Sequence, residues 1–282
     1  MIYLILAIIA SALFSIMMRV GEQHCENNIC MLAVNYTVCC FFSLIYSGID
    51  SLMQVGPGKG MAIALGWING FFYIAGLVVF QKSLRENGLV LSSIFMKLGI
   101  MVPLVLSIFF FKEVPTIFQI IGFVIAIIAM VIINLKPDTV KSEDRISGKK
   151  MILFLVLLGG GTADGMSKIY QEIGADKYED LFLLSTFIIA FLLSLLYGKI
   201  NRQKFTKVEW MYGIMLGVPN YFSARFLLKA LGEVPAVVVY PTFSMGTIAV
   251  VTLTGMFIFR EKISKLQRFA IALISVAVAL LN

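Results

Sequence analysis

The chain has 282 residues, of which 60% are hydrophobic and only 14% are charged. Soluble domains carry about 25% charged residues, so this composition excludes an ordinary soluble protein. The net charge of +7 comes from Lys and Arg beside apolar runs and not from a basic stripe, so we expect no nucleic-acid partner.

Apolar runs of about 20 residues follow one another along the chain, and that length crosses a hydrocarbon core at about 1.5 Å per residue. The runs are apolar on all sides and lack the alternation of barrel strands, which predicts helices. The first charge, Arg19, follows the first run, which therefore does not resemble a cleavable signal peptide. The ten predicted spans are 2–18, 29–48, 61–80, 88–111, 116–135, 151–170, 181–198, 209–228, 234–259 and 266–281.

The two halves of the chain repeat each other. Phe-Lys-Glu at 111–113 recurs as Phe-Arg-Glu at 259–261, and a Gln follows each Glu by six residues, at Gln119 and Gln267. The polar segment 136–150 separates five spans from five. We therefore predict an all-α integral membrane protein with ten transmembrane helices in two inverted five-helix repeats. The predicted units are the first repeat (1–135), the polar linker (136–150) and the second repeat (151–282).

The orientation prediction comes from the positions of Lys and Arg. Sixteen of them follow the odd-numbered spans and six belong to the alternate set, which favours a cytoplasmic linker and both termini outside. We expect a multi-pass protein of the plasma membrane.

Cysteine and histidine usage indicates neither a metal site nor a cofactor. The four cysteines match no zinc or haem spacing, and the only histidine is His24, in a short loop. Pairing of Cys25 with Cys30 stays open, whereas Cys39 and Cys40 are interpreted as small packing residues of the second span.

Lys97 is the sharpest candidate for a functional residue. It lies about ten residues into the fourth span, one turn after Ser93, and a cation at that depth costs about 2.5–3.5 kcal/mol on insertion scales. It is either a ligand for an anionic group of a substrate, or a structural partner for Asp164 or a helix-end carbonyl.

The repeat places an uncharged wall opposite Lys97. Tyr240, Ser244 and Thr247 share one face of the ninth span. They lie 147 residues after their counterparts in the fourth span, Ser93, Lys97 and Ile100. They are candidates for substrate binding, and the alternative is ordinary hydrogen bonding between helices. Further candidates occupy one face each of the third and eighth spans: Asn69, Tyr73, Asn220 and Tyr221.

Asp164 is the acid that lies clearly within a span. Lys168 is four residues later, so the two side chains share a face and can form an ion pair. The alternative is a protonation site at Asp164. Arg19, near the end of the first span, is the repeat counterpart of Lys168 and belongs to the same set of candidates. Arg225 and Lys229 are interpreted as basic side chains that reach the interface.

These features together resemble the drug/metabolite transporter superfamily, in its ten-helix EamA-type branch. The resemblance rests on the duplication, on Arg19 and Lys168, on Pro241 in the ninth span, and on the repeated Glu-to-Gln spacing. It implies a central cavity lined by spans 1, 3, 4, 6, 8 and 9, and alternating access. Lys97 is similar to a lysine that meets phosphate in the sugar-phosphate branches, but Ser244 stands where a second lysine would be. Members of this family are commonly drawn with cytoplasmic termini, against the charge count.

The leading hypothesis is a secondary active transporter of a small polar or anionic metabolite, such as an amino acid, acting in efflux. Its expected partners are the solute, the lipid bilayer and, as a candidate coupling ion, the proton, with the protein a monomer or homodimer. One alternative is a flippase for a lipid or lipid-linked sugar, which needs a groove open to the bilayer. The other is an intramembrane enzyme, which needs a His, Cys or Asp constellation at helix depth.

Overall fold

The computed structural model describes residues 1–53, 56–110, 116–118, 120–122, 124–125, 128, 143–234, 236–260 and 265–280. Regular structure over these ranges is helical, as predicted. The helices are α1 (Ile2–His24), α2 (Asn28–Met53), α3 (Lys59–Asn87), α4 (Leu89–Leu98), α5 (Met101–Phe110), α6 (Glu143–Ile173), a short 3-10 helix (Asp176–Tyr178), α7 (Glu179–Ile200), α8 (Lys207–Glu233), α9 (Ala236–Phe257) and α10 (Lys265–Leu280).

Within the described ranges, five helical segments are long and apolar enough to cross a membrane: Ile2–His24, Asn28–Ser47, Lys59–Asn87, Met151–Ile173 and Asp176–Ile200. The described part of the chain is therefore all-helical, and its apolar helices are those of a multi-pass membrane protein. The predicted fifth span lies largely outside the described residues. So do Glu113, Gln119 and Glu261 and the side chains of Pro241 and Gln267, which carry much of the repeat signal.

The predicted fourth span is not one continuous helix. It consists of α4 and α5, which meet at Gly99 and Ile100, where the amide of Ile100 bonds the Lys97 carbonyl at 3.3 Å. The Gly99 carbonyl accepts from Val102 at 2.8 Å, and Pro103 has no amide to offer it. Pro103, three residues after Ile100, therefore explains why the α-helical bond to the Gly99 carbonyl is missing.

The sixth helix begins earlier than predicted. It starts at Glu143, eight residues before the predicted span and inside the segment interpreted as a polar linker. Polar residues are compatible with a helix, because Pro alone opposes helix formation strongly and Gly does so more weakly. Polarity therefore marked where the apolar run begins and not where the helix begins.

The helices of the two halves are packed into each other. α1 packs against α8 and α9, whereas α6 packs against α3, α4 and α5. α2 packs against α7 and α8, and α7 also packs against α3. Glycines make the closest of these contacts: Gly66 and Gly70 of α3 lie directly against α7, and Gly213 and Gly217 of α8 lie directly against α2.

Candidate functional site

A cavity of about 80 Å³ lies between α1, α3, α4, α6, α8 and α9. These are the six helices that the family resemblance implies. The residues that line it are Ser11, Phe14, Tyr73, Gly76, Leu77, Met96, Lys97, Gly159, Gly160, Ala163, Asp164, Ser167, Asn220, Ser223, Ala224, Leu227 and Phe243.

Glycines bring α6 close to the first half of the chain on this side of the cavity. A methyl group built on Gly159 would come within 2.6 Å of the Gly76 Cα of α3, and one on Gly160 would come within 2.5 Å of the Met96 carbonyl of α4. The absence of side chains at these positions lets Lys97 and Asp164 reach the same space from neighbouring helices.

Lys97 brings a positive charge to the cavity from the last turn of α4. The residue is buried, and its Nζ lies 3.8 Å from the centre of the Phe243 ring, where the negative face of the ring attracts a cation. The C-terminal end of a helix is also favourable for a positive charge. Among the described residues, no hydrogen bond or ion pair involves this ammonium group.

Asp164 brings a negative charge to the same cavity from α6. The two groups attract each other electrostatically, but they do not form an ion pair in the part of the chain that the structure describes. The cavity therefore presents a cation and an anion, and each can bind a solute group of opposite charge.

A chain of hydrogen bonds forms another wall of the cavity. The Tyr73 hydroxyl donates to Asn220 Oδ1 at 2.8 Å, and Asn220 Nδ2 donates to Asn35 Oδ1 at 3.1 Å. Because its proton is already donated, the Tyr73 oxygen can accept a hydrogen bond from a solute. Asn35 of α2 does not line the cavity, but it fixes the orientation of Asn220.

Four of the predicted site residues line the cavity: Lys97, Tyr73, Asn220 and Asp164. The others do not line it. Tyr240 donates to the backbone carbonyl of Asp164 at 2.9 Å, and Thr247 donates to that of Phe243 at 2.8 Å. The remaining predicted residues, which are buried outside the lining, are Ser93, Asn69, Tyr221 and Ser244.

The ion pairs differ from the predicted ones. Lys168 forms an ion pair with Glu172, one turn after it, whereas the predicted partner was Asp164. Arg19 pairs with Glu22 at 3.0 Å. Both basic residues lie outside the cavity lining.

Arg225 also differs from its prediction, because it is buried instead of extending to the interface. It pairs with Asp180 and donates to the Tyr221 hydroxyl at 2.8 Å. The Tyr46 ring lies 4.0 Å from its guanidinium carbon.

Sequence reasoning missed most of the lining residues, among them three serines and Phe243. Ser167 and Ser223 each lie three residues after a predicted site residue, on the same helix face, and that spacing is the signal that identifies them. Ser11 lies one turn before Ser15, whose hydroxyl bonds its carbonyl at 3.1 Å. No sequence signal marks Phe243, because one aromatic ring among many apolar residues is unremarkable until Lys97 is placed beside it.

Comparison with known proteins agrees with this architecture. Residues 1–135 match the EamA-like transporter family. Residues 1–135 are thus an EamA-like transporter family domain, and that family belongs to the drug/metabolite transporter superfamily, as the resemblance indicated.

The chain is also similar to individual proteins over nearly its whole length. An uncharacterized protein of Haemophilus influenzae (strain ATCC 51907 / DSM 11121 / KW20 / Rd) is 26% identical over 274 residues, which cover 94% of this chain and 91% of that protein. A solved structure described only as "Crystal structure of protein" has a TM-score of 0.64 at 13% identity, and the match covers 99% of this chain and 97% of the other. At this identity the similarity concerns the fold alone.

Proposed function

We propose that the protein is a secondary transporter of a small zwitterionic, amino-acid-like metabolite. The observation that carries the proposal is the placement of Lys97 and Asp164 on the same cavity without an ion pair between them. A solute carboxylate would bind the Lys97 ammonium, and a solute ammonium would bind the Asp164 carboxylate and the Tyr73 oxygen.

The size of the cavity favours a small solute. Its volume of about 80 Å³ is well below the roughly 300–1,000 Å³ of pockets for drug-sized ligands. A lipid-linked sugar would need far more space and a groove open to the bilayer. The small volume of the cavity therefore supports the metabolite hypothesis over the flippase alternative.

Helix packing supports an inverted repeat and a rocking mechanism. The contacts of α1 with α8 and α9 correspond to those of α6 with α3 and α4 when the two halves are exchanged. Gly66 and Gly70 correspond to Gly213 and Gly217 at a spacing of 147 residues, and both pairs make close helix contacts. Rocking of one half against the other would expose the cavity alternately to each side. We further propose efflux across the plasma membrane, by analogy with the family alone.

A transport assay with the purified protein in liposomes tests the proposal. The panel would contain a neutral amino acid, a matched carboxylic acid and a matched amine, each measured by counterflow exchange. We expect exchange of the amino acid. Lys97→Gln should lower the apparent affinity for the amino acid and the acid about tenfold or more, which is the value of a charged hydrogen bond. Affinity for the amine should not fall.

Lys199→Gln is the matched control, because Lys199 is exposed and lies outside the cavity lining. It should behave as the wild type. Exchange of no panel member, or wild-type affinity for the amino acid in Lys97→Gln, would contradict the proposal.

A further inference from the structure

A second cleft, of about 250 Å³, lies where α2 begins and where α3 and α7 end. It shares no lining residue with the central cavity. The candidate spans Asn28–Ser47, Lys59–Asn87 and Asp176–Ile200 all have an end at this cleft, which places it at the depth of lipid headgroups. The distribution of Lys and Arg predicts that this end is cytoplasmic, where anionic lipids concentrate.

The charged groups of the cleft are cations. Lys82 and Arg85 lie three residues apart on α3 and both line the cleft. Lys82 is exposed and has no ion pair among the described residues. Arg85 uses its Nε to bond Glu22 at 2.7 Å, which leaves further guanidinium donors. The Glu22 carboxylate is also bonded to Arg19, so its charge is already compensated.

The neutral groups of the cleft also favour an anion. Gln81 is 5% exposed and lines the cleft, and its Nε2 donor has no hydrogen-bond partner in the part of the chain that the structure describes. The last carbonyls of α7 are already bonded: that of Tyr197 accepts from Asn201, and that of Gly198 accepts from the Gln203 amide. The buried side-chain atom of the cleft that lacks a partner among the described residues is therefore a donor, and the charged groups beside it are cations.

We propose that this cleft binds a phosphate group, presented by an anionic lipid headgroup or as free phosphate. The phosphate oxygens would accept hydrogen bonds from Lys82, Arg85 and Gln81, which combine two positive charges with a buried donor.

The test measures thermal unfolding of the purified protein in a neutral detergent with increasing concentrations of short-chain phosphatidylglycerol. Phosphatidylcholine of the same chain length and inorganic phosphate are separate arms. We expect phosphatidylglycerol to raise the melting temperature saturably and phosphatidylcholine to have little effect. Lys82→Gln should weaken the apparent phosphatidylglycerol affinity about fivefold, the factor expected for one juxtamembrane cation. Gln81→Leu should also weaken it about fivefold, because it removes one hydrogen-bond donor to the phosphate.

Lys207→Gln is the matched control. Lys207 is exposed at the same end of the molecule, close to the contact between Glu209 and Asn27, but it does not line the cleft. Its affinity should match the wild type, and all variants should melt at the wild-type temperature without lipid. Saturable stabilisation by inorganic phosphate that Lys82→Gln weakens would assign the site to free phosphate. Equal stabilisation by both lipids, or undiminished affinity in Lys82→Gln and Gln81→Leu, would overturn the proposal.

Discussion

Lys97 of α4 and Asp164 of α6 face one cavity, and each comes from a different half of the chain. Their repeat counterparts are Ser244 and Ser15, which are uncharged. The positive charge is thus contributed by the first half and the negative charge by the second. This asymmetry gives the cavity a polarity that two identical halves would lack, and it suits a solute with unlike ends.

The first prediction concerns coupling to protons. If the Asp164 carboxylate carries the proton, Asp164→Asn should abolish the acceleration of transport by a proton gradient. The reason is that an amide does not take up a proton in the pH range of a transport assay. Solute exchange without a gradient should persist with a lower affinity, because the Asn amide oxygen still accepts a hydrogen bond from the solute ammonium but carries no charge. The measurement is transport into liposomes with and without an imposed pH difference.

Glu172→Gln is the control for this experiment, since Glu172 lies on the same helix and pairs with Lys168 outside the cavity. It should keep the full response to the gradient. A full response in Asp164→Asn would remove Asp164 as the proton carrier.

The second prediction concerns the buried pair of Arg225 and Asp180. Asp180→Asn should destabilise the protein by up to about 3 kcal/mol, because it leaves the Arg225 guanidinium buried without its counter-charge. Arg225→Gln should destabilise it by less, since Asp180 is partly exposed and remains hydrated. The melting temperatures of both variants and of the double variant measure the coupling. A double variant as unstable as the sum of the two would contradict an interaction between them.

The charged residues that the sequence singled out, and that line the cavity, have a chemistry that is unusual for their surroundings. Lys97 and Asp164 stand out because a charge within an apolar span is costly. The ninth span shows the limit of such reasoning: Tyr240, Ser244 and Thr247 share a face, but the residue of this span that lines the cavity is their apolar neighbour Phe243. A span that is apolar on all sides gives no periodic signal of its rotation, so which face points inward depends on tertiary packing.

Contacts between residues far apart in sequence could not be predicted from the sequence either. Asn35 acquires its role from Asn220, 185 residues later. Lys168 has an acid four residues before it and another four residues after it, and helix spacing allows both pairs. The structure selects Glu172 for the ion pair, while Asp164 faces the cavity.

The third prediction concerns Cys25, which lies between α1 and α2. Burial and the nearby Glu209 carboxylate raise the pKa of its thiol to about 12, so at pH 8 the thiol is almost entirely protonated and unreactive. All four cysteines are free, so the Cys25–Cys30 pair left open by the sequence is not formed. We expect alkylation of Cys25 to be at least a hundredfold slower in the folded protein than in denaturant, measured by mass spectrometry after brief treatment at pH 8.

Lys207→Cys provides an internal standard for this measurement, because position 207 is exposed. The new thiol should react within the same treatment while Cys25 stays unmodified. Alkylation of Cys25 as fast as that of position 207 would show that its thiol is neither buried nor held protonated.

The last prediction tests whether the two halves use equivalent helix contacts. A methyl group at Gly66 would come within 2.5 Å of the Ser185 Cβ, and one at Gly213 would come within 2.5 Å of the Val34 Cβ. Neither neighbour can move without shifting its helix. Gly66→Ala and Gly213→Ala should therefore each destabilise the protein by about 1–3 kcal/mol, the usual cost of overpacking.

Gly60→Ala is the control, because nothing lies within 4 Å of the added methyl group and Ala favours the helix. Its melting temperature should equal or slightly exceed that of the wild type. A loss of stability at only one of the two repeat-related glycines would mean that these interfaces are not equivalent and would weaken the inverted-repeat assignment.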